Sequence, residues 1–452
     1  MDRLDSLMQA FIDRQISRRG LVKGAAALGV AAPALRFMEQ GNVLAAQPAD
    51  NSVRWVSPRG TIDVLDDYPY WVAKALGYFG DIQTTLEPGP MEATAGTKSV
   101  DSGQSDVAYP SPGVFSLTVE QGIPLMSAFQ MGAYDVFDFA FSKGEAPETL
   151  MGLEGKTISL GSAGWQGITD PELAQAGLDP KTVSYVDAGP QWGQVLAQGQ
   201  VDSALAWAGL RAQWLAGGLD FDYILGSSWS KFPANSFVIR KADFEDPNLD
   251  AIYTNYFKGW AMGLEFGQLN PLAATQITMD ALPALKEVFT DLQVAVESMW
   301  QLAQVFRGDW GMRQGWGDAS LDSWQTFLST ANNIGQLTSE IQAGDIISNK
   351  YLPGANDFDH DKVAADAAGF ALSDGFKGRT VPVGAGATAE FRSRYAPPLR
   401  RGRTPLIPPT CRRRPGGTLR EDPWPTRSST TSACGQSTPS RTRVTSRPAS
   451  AG

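Results

Sequence analysis

The run Gly103-Gln104-Ser105-Asp106-Val107-Ala108 returns later in the chain as Gly199-Gln200-Val201-Asp202-Ser203-Ala204. Each copy follows a helix-like stretch and precedes an apolar run. The physical reading of one copy is a helix stopped by a left-handed glycine, then a strand whose first residue is Asp. Because both copies hold the same place in the helix-to-strand order, the chain is expected to build two related α/β lobes, each closed by such a unit.

The rest of the pattern fits around this pair. Val53 to Ser57 alternates as a strand and turns at Pro58-Arg59-Gly60. Asp66-Asp67-Tyr68-Pro69 reads as a helix start, with the acids capping and Pro in the first turn. Trp71, Val72, Ala75, Leu76 and Phe79 share a helical face, with Gly77 inside the last turn and Gly80 closing it. A strand follows around Ile82 to Leu86. Phe137 to Phe141 is expected to cross from the first lobe toward the second, and Ser236 to Ile239 to return. Two crossovers make a hinge with a ligand cleft between the lobes. After Asp246-Pro247 the apolar spacing is helical to about Phe370, interrupted by Gly and Pro, and its Trp and Phe stripes read as core of the first lobe. The expected division is 53–141 for the first part of lobe one, 142–236 for lobe two, and 237–376 for the return to lobe one with extra C-terminal helices.

Composition narrows the function. Residues 391–452 hold thirteen Arg, no Lys and only Glu421 and Asp422 as acids, a net +11; with −10 overall, residues 1–390 carry −21. So acidic a body does not suit nucleic acid, which needs clustered cations. Both cysteines, Cys411 and Cys434, lie in the basic tail, so the body has no disulfide framework, no thiol nucleophile and no thiolate metal site. The single His360, among Asp357, Asp359 and Asp361, reads as a solvated surface side chain. The tail from Phe391 has no apolar periodicity and reads as a disordered basic segment: an Arg-rich arm for an anionic polymer, or a stretch translated out of frame. At the other end, Ser17-Arg18-Arg19-Gly20-Leu21-Val22-Lys23 and the small apolar run Gly24 to Leu35 resemble a twin-arginine export signal within residues 1–46, with cleavage expected after Ala45 or Ala46.

Lys156 to Trp165, KTISLGSAGW, reads as a short strand ending in a small-residue turn, Gly161-Ser162-Ala163-Gly164, from which a helix is expected to start. Helix N-termini carry unpaired N–H groups and partial positive charge, so a Ser at such a turn is a natural seat for an oxyanion.

Taken in order, Gly77-Tyr78-Phe79, the repeated G-Q-x-D-x-A element, Leu153 to Gly164, Ala176 to Gly189 and Gly199 to Trp207 carry a family resemblance over roughly Val53 to Leu282. The chain resembles the solute-binding proteins of nitrate/sulfonate/taurine-type ABC importers, a family that also includes binding proteins for thiamine-pyrimidine precursors. The resemblance implies an α/β, two-lobed periplasmic binding protein of the Venus-flytrap type II class, exported by the twin-arginine machinery. As a monomer without cofactor, metal or catalytic group, it would deliver a small solute to a membrane permease. By the same resemblance the pocket is lined by Ser57, Arg59, Asp67, Tyr68 and Ser111-Pro112 from lobe one, and by Ser162, Ala163, Gly164, Trp165 and Trp207 from lobe two. Trp165, and the Ala208-Gly209 pair after Trp207, depart from the family's usual small polar and acid-Pro residues. Ser162 and Arg59 would hold a planar oxyanion such as a sulfonate or nitrate. Tyr68, Trp165 and Trp207 would instead sandwich a flat heterocycle. Asp67, were it to face the cleft, would favour a cationic or N–H-bearing solute. A pyrimidine-synthase-like enzyme on this fold would need His and Cys near the pocket, and a cytoplasmic regulator would carry a DNA-binding helix-turn-helix where the Arg pair stands.

Overall fold

A computed structural model of the chain describes residues 51–90 and 92–381. The expected export segment, both cysteines and the basic tail from Phe391 lie outside the described residues.

Strand β1 (Ser52–Val56) leads through the Pro58–Gly60 turn to helix α1 (Tyr68–Leu76) and β2 (Gln83–Glu87). Then come α2 (Ala95–Asp101), β3 (Val107–Ala108), α3 (Pro112–Glu120) and β4 (Leu125–Gln130). The next stretch is β5 (Phe137–Ser142), β6 (Thr157–Leu160), α4 (Gln166–Gln175), β7 (Ser184–Asp187), α5 (Trp192–Ala197), β8 (Ser203–Trp207), α6 (Ala208–Ala216) and β9 (Phe221–Leu225). After β10 (Ser236–Arg240) the chain is helical, with α7 (Asp250–Leu269), α8 (Pro271–Ala281), α9 (Leu292–Arg307), α10 (Leu321–Asn333) and α11 (His360–Gly369) as its main helices.

Two five-stranded sheets result, in the orders β2-β1-β3-β10-β4 and β7-β6-β8-β5-β9. They have one topology. In each, three parallel strands are followed by a crossover strand from the other half of the sequence, antiparallel to both its neighbours. Since β5 pairs in the second sheet, the chain has changed lobes before Phe137, a few residues earlier than the boundary expected after Phe141.

The repeated hexapeptide explains the shared topology. Gly103 and Gly199 both take left-handed backbone, φ 75° and 67°, and end the preceding helices. Asp106 then accepts a hydrogen bond from the Arg54 N–H at 2.9 Å and returns its own N–H to the Arg54 carbonyl. Asp202 does the same with Thr157, accepting at 2.8 Å. Each Asp, one residue before its strand rather than its first residue, thereby locks the strand's entry to the neighbouring strand and fixes the register.

Side-chain packing corrects two sequence expectations. Helix α1 stops at Gly77, the left-handed C-cap, and its buried residues are Tyr68, Pro69, Tyr70, Val72 and Ala73; Ala75 is exposed. The glycines of α7 are no interruption. A Cβ on Gly259 would meet the Phe79 ring at 2.3 Å, one on Gly263 the Pro69 carbonyl at 2.1 Å, and one on Gly267 the Tyr68 ring at 2.1 Å. Spaced by four, they form the stripe against which α1 lies. The expected aromatic core is there: Trp260 packs edge-on to Trp55 with centroids 4.8 Å apart and contacts Phe237 at 4.5 Å.

His360 also departs from expectation. It opens α11 half-buried, its Nδ1 2.8 Å from an oxygen of buried Glu265, which accepts from Trp316 Nε1 as well. That hydrogen bond, partly opposed by burial, raises the imidazole pKa. The residue ties α11 to α7.

Candidate functional site

In open parallel sheets, ligands sit beyond the carboxyl ends of the strands. Here the turns after β1, β3, β6 and β8 converge on a cavity of about 90 Å³. The first lobe supplies Pro58, Arg59, Asp66, Tyr109 and Ser111; the second supplies Trp165, Ile168, Trp207 and Gly209. Val136, Phe137 and Asn235 come from the crossovers, and Leu302 and Phe306 from α9. At 10–15 Å³ for each water, this is room for roughly six waters or a small solute.

Most of the polar groups are already engaged. Arg59, half-buried, forms an ion pair with the fully buried Asp67. Its backbone N–H donates to Ser57 Oγ at 3.2 Å, so Ser57 shapes the turn from behind. Asp67 stands at the N-cap of α1 yet makes no side-chain cap: its Oδ1 accepts from Arg59 and its Oδ2 is buried without a partner. Burial raises its pKa and Arg59 lowers it, with a net rise. Asp66 turns the other way, into the cavity. Burial and the neighbouring Asp67 push its pKa up to about 6, against the pull of Arg59 and of a hydrogen bond from Trp207. Gly209 makes this possible, since a Cβ there would lie 2.1 Å from an Asp66 oxygen. Ser111 accepts from the Val114 N–H at 3.3 Å, capping α3, which begins at Pro112. Asn235 Nδ2 points to the Tyr109 carbonyl at 3.5 Å, and its Oδ1 is buried without a partner. The Nε of Arg59 is likewise buried without a partner.

Of the eleven residues expected to line the pocket, the cavity brings together Arg59, Ser111, Trp165 and Trp207, while Pro112 opens α3 and is not in the lining. Ser57, Asp67 and Tyr68 lie behind its wall; the Tyr68 ring stacks on Phe306 with centroids 6.0 Å apart. Ser162, Ala163 and Gly164 are elsewhere. The helix expected to start at Ser162 begins as a single 3₁₀ turn, and α4 proper starts at Gln166. Ser162 makes no cap, and the Ala163 N–H donates to Asp187 Oδ2 at 3.0 Å. The anion seat read in the sequence is thus filled by the protein's own carboxylate. Ala163 and Gly164 are exposed and border a separate groove running to Gln336. Gly161 serves Trp165, whose ring would lie 2.5 Å from a Cβ at that position. Trp165 and Trp207 meet at 85° with centroids 5.9 Å apart, and Trp192 stacks behind Trp207. They form a corner and cannot clasp a flat ring between parallel faces.

Asp66, Tyr109, Asn235, Leu302 and Phe306 were missed. For Asp66 the signal was the adjacent acid pair, read as a helix cap. The α9 residues lie on an ordinary amphipathic helix and carry no local signal.

The family model described as NMT1/THI5 like matches residues 66–261, which span most of both sheets and the cavity. Among curated proteins none matches the chain in sequence. Among solved structures, a protein of Bordetella bronchiseptica RB50 is 16% identical, aligns over 68% of this chain and 97% of its own, and gives a TM-score of 0.51. The ligand-binding component of an ABC-type import system from Staphylococcus aureus is 11% identical over 67% of this chain and 98% of its own, with a TM-score of 0.50. The alkanesulfonate-binding protein SsuA of Xanthomonas axonopodis pv. citri, solved with MOPS, is 13% identical over 67% and 99%, with a TM-score of 0.48. The chain has the fold of the Bordetella and S. aureus structures: two α/β lobes joined by two crossover strands. Among the described residues, no helix is long and apolar enough to cross a membrane.

Proposed function

We propose that this chain is the extracytoplasmic solute-binding receptor of an ABC importer, closing two lobes on a small solute and presenting the closed form to a membrane permease. One observation carries the reading: equivalent strand-end turns of two sheets with one topology line a single cavity at the crossover hinge. The S. aureus neighbour, a component of an import system, has the same fold. Binding rather than catalysis is the role, since Ser111 gives its oxygen to a helix cap and Arg59 its charge to Asp67. Export through the twin-arginine signal at Arg18-Arg19, and action as a monomer, complete the proposal.

A purified body spanning 47–390 is expected to be stabilised by its solute by about 4 kcal/mol at a thousand times the dissociation constant. Its small-angle scattering should contract at the same time. Stabilisation without contraction would count against a closing receptor. For export, replacing Arg18 and Arg19 by Lys should retain the precursor in the cytoplasm; unchanged export would remove the twin-arginine part.

For the solute, the expected sulfonate, nitrate or taurine-like anion keeps one supporting observation, the unpartnered buried Nε–H of Arg59. An anion there would need Asp66 protonated, so its affinity should fall as pH rises through 6. The flat heterocycle has less support, given the perpendicular tryptophans.

A further inference from the structure

We infer that the cavity takes an organic cation, an ammonium- or amidinium-type group seated on Asp66, with its apolar body in the corner of Trp165 and Trp207. This deepens the receptor reading and rests on it.

Charge balance carries the argument. Among the described lining residues Arg59 is the only cation, and Asp67 already neutralises it. Asp66 is left as an excess carboxylate at the cavity wall, only 6% exposed. A buried charge without a counter-ion is costly, and a bound cation removes that cost where an anion would add to it. Two further groups are open: the buried Oδ1 of Asn235, an acceptor that calls for an N–H donor, and the Nε–H of Arg59, a donor whose charge Asp67 already balances. The walls agree, because Trp165 and Trp207, packed edge to face, line the cavity with apolar and aromatic area that suits the body of an organic cation. The glycine at 209 is itself informative. It holds space on the second lobe for the Asp66 oxygens, so the acid reaches across the lobe junction to where a solute must bridge.

The groups facing Asp66 are Arg59 from the turn after β1, Asp67 beside it, and Trp207 with the start of α6 from the other lobe. Tyr109, facing Arg59, stays neutral because burial drives its pKa up. Arg313, beyond Tyr109, gives its donors to the carbonyls of Phe306, Gln130 and Asp318. Asp66 is thus the group that titrates near pH 6, and cation affinity should rise with pH through that value.

Size-matched probes of opposite charge test this: n-propylammonium against ethanesulfonate, and benzylammonium against benzenesulfonate, by titration calorimetry at pH 5 and 7.5 with scattering in parallel. The expected result is that the cation of at least one pair binds ten-fold or more tighter than its anion at pH 7.5, weakens about ten-fold at pH 5, and is lost in Asp66→Asn. Gly209→Ala, which displaces the carboxylate without removing it, should weaken the cation as well. Tighter binding of the anions, or cation binding indifferent to Asp66→Asn, overturns the inference and leaves the receptor reading in place. No binding of any probe together with no contraction overturns both.

Discussion

Asp66 and Asp67 are neighbours in sequence with opposite fates. Asp67 turns back to Arg59 and becomes part of the first lobe's frame, while Asp66 is left at the cavity with burial as the dominant influence on its pKa, which rises from 3.8 to about 6. The consequence for stability has a definite sign. The folded state holds this proton more tightly than the unfolded chain, so the stability it contributes is full below about pH 4 and is lost as pH rises through 6. Above that the ionised Asp66 costs about 3 kcal/mol, from roughly two pKa units at about 1.4 kcal/mol each. Asp138, buried beside Arg211 and pushed up to about 7, acts in the same direction over a window reaching pH 7. The ligand-free protein is therefore expected to become more stable on acidification from pH 8 to 5.5. Asp66→Asn should be more stable than the parent at pH 7.5 by up to about 3 kcal/mol, with a flatter slope between pH 4 and 6. Urea unfolding across that range checks this, and parallel curves for the two proteins would count against it.

The twin register locks allow a sharper comparison, because the same geometry occurs once in the core and once at the surface. Asp106 is fully buried and holds both Arg54, at 2.9 Å, and Arg240, at 3.1 Å. Asp202 is exposed and pairs with Lys156 at 3.0 Å, itself half in solvent. Removing a buried partner strands a buried charge and costs about 3–5 kcal/mol, whereas an exposed pair contributes about 0–1 kcal/mol. Asp106→Ala should accordingly destabilise by about 3 kcal/mol or more, and Asp202→Ala by about 1–2 kcal/mol once the lost hydrogen bond to the Thr157 N–H is included. Equal losses in denaturant titration would overturn this and mean that the two copies are alike in energetic role as well as in shape. That the repeat was legible at all follows from its locality: a left-handed glycine and an Asp three residues later act within one turn of chain. The pocket was less legible for the opposite reason. The turn at Ser162 was read correctly as a turn, but its donor is taken by Asp187, which sequence spacing gave no reason to place there. Which of two adjacent acids faces the cleft is settled by Gly209, a residue of the other lobe.

Closure itself is held by small contacts between the lobes. A Cβ on Gly113, in the first turn of α3, would lie 2.1 Å from the carbonyl oxygen of Gly167 in the first turn of α4. Gln336 donates to that same oxygen at 3.0 Å, and Gln213 reaches the Asp63 carbonyl at 3.5 Å. At the hinge the two crossovers touch where Gly132 meets Ala234, with a Cβ on the glycine only 2.7 Å from the alanine methyl group. The lobes thus meet backbone to backbone at one glycine pair, beside a hinge where Gly132 packs on Ala234. A methyl group at position 113 cannot be absorbed by a rotamer change, because its obstacle is main chain, so the lobes must separate. Gly113 is buried, but what its added methyl group would meet is main chain of the other lobe, so Gly113→Ala leaves each lobe's core intact and should unfold within about 1 kcal/mol of the parent, the better helix propensity of Ala offsetting part of the lost contact. Yet it should bind the solute at least ten-fold more weakly and fail to contract in small-angle scattering when the solute that closes the parent is added. Contraction of the variant to the parent's radius of gyration would mean that the lobes close without the Gly113–Gly167 contact, and that the limit of closure lies at the hinge.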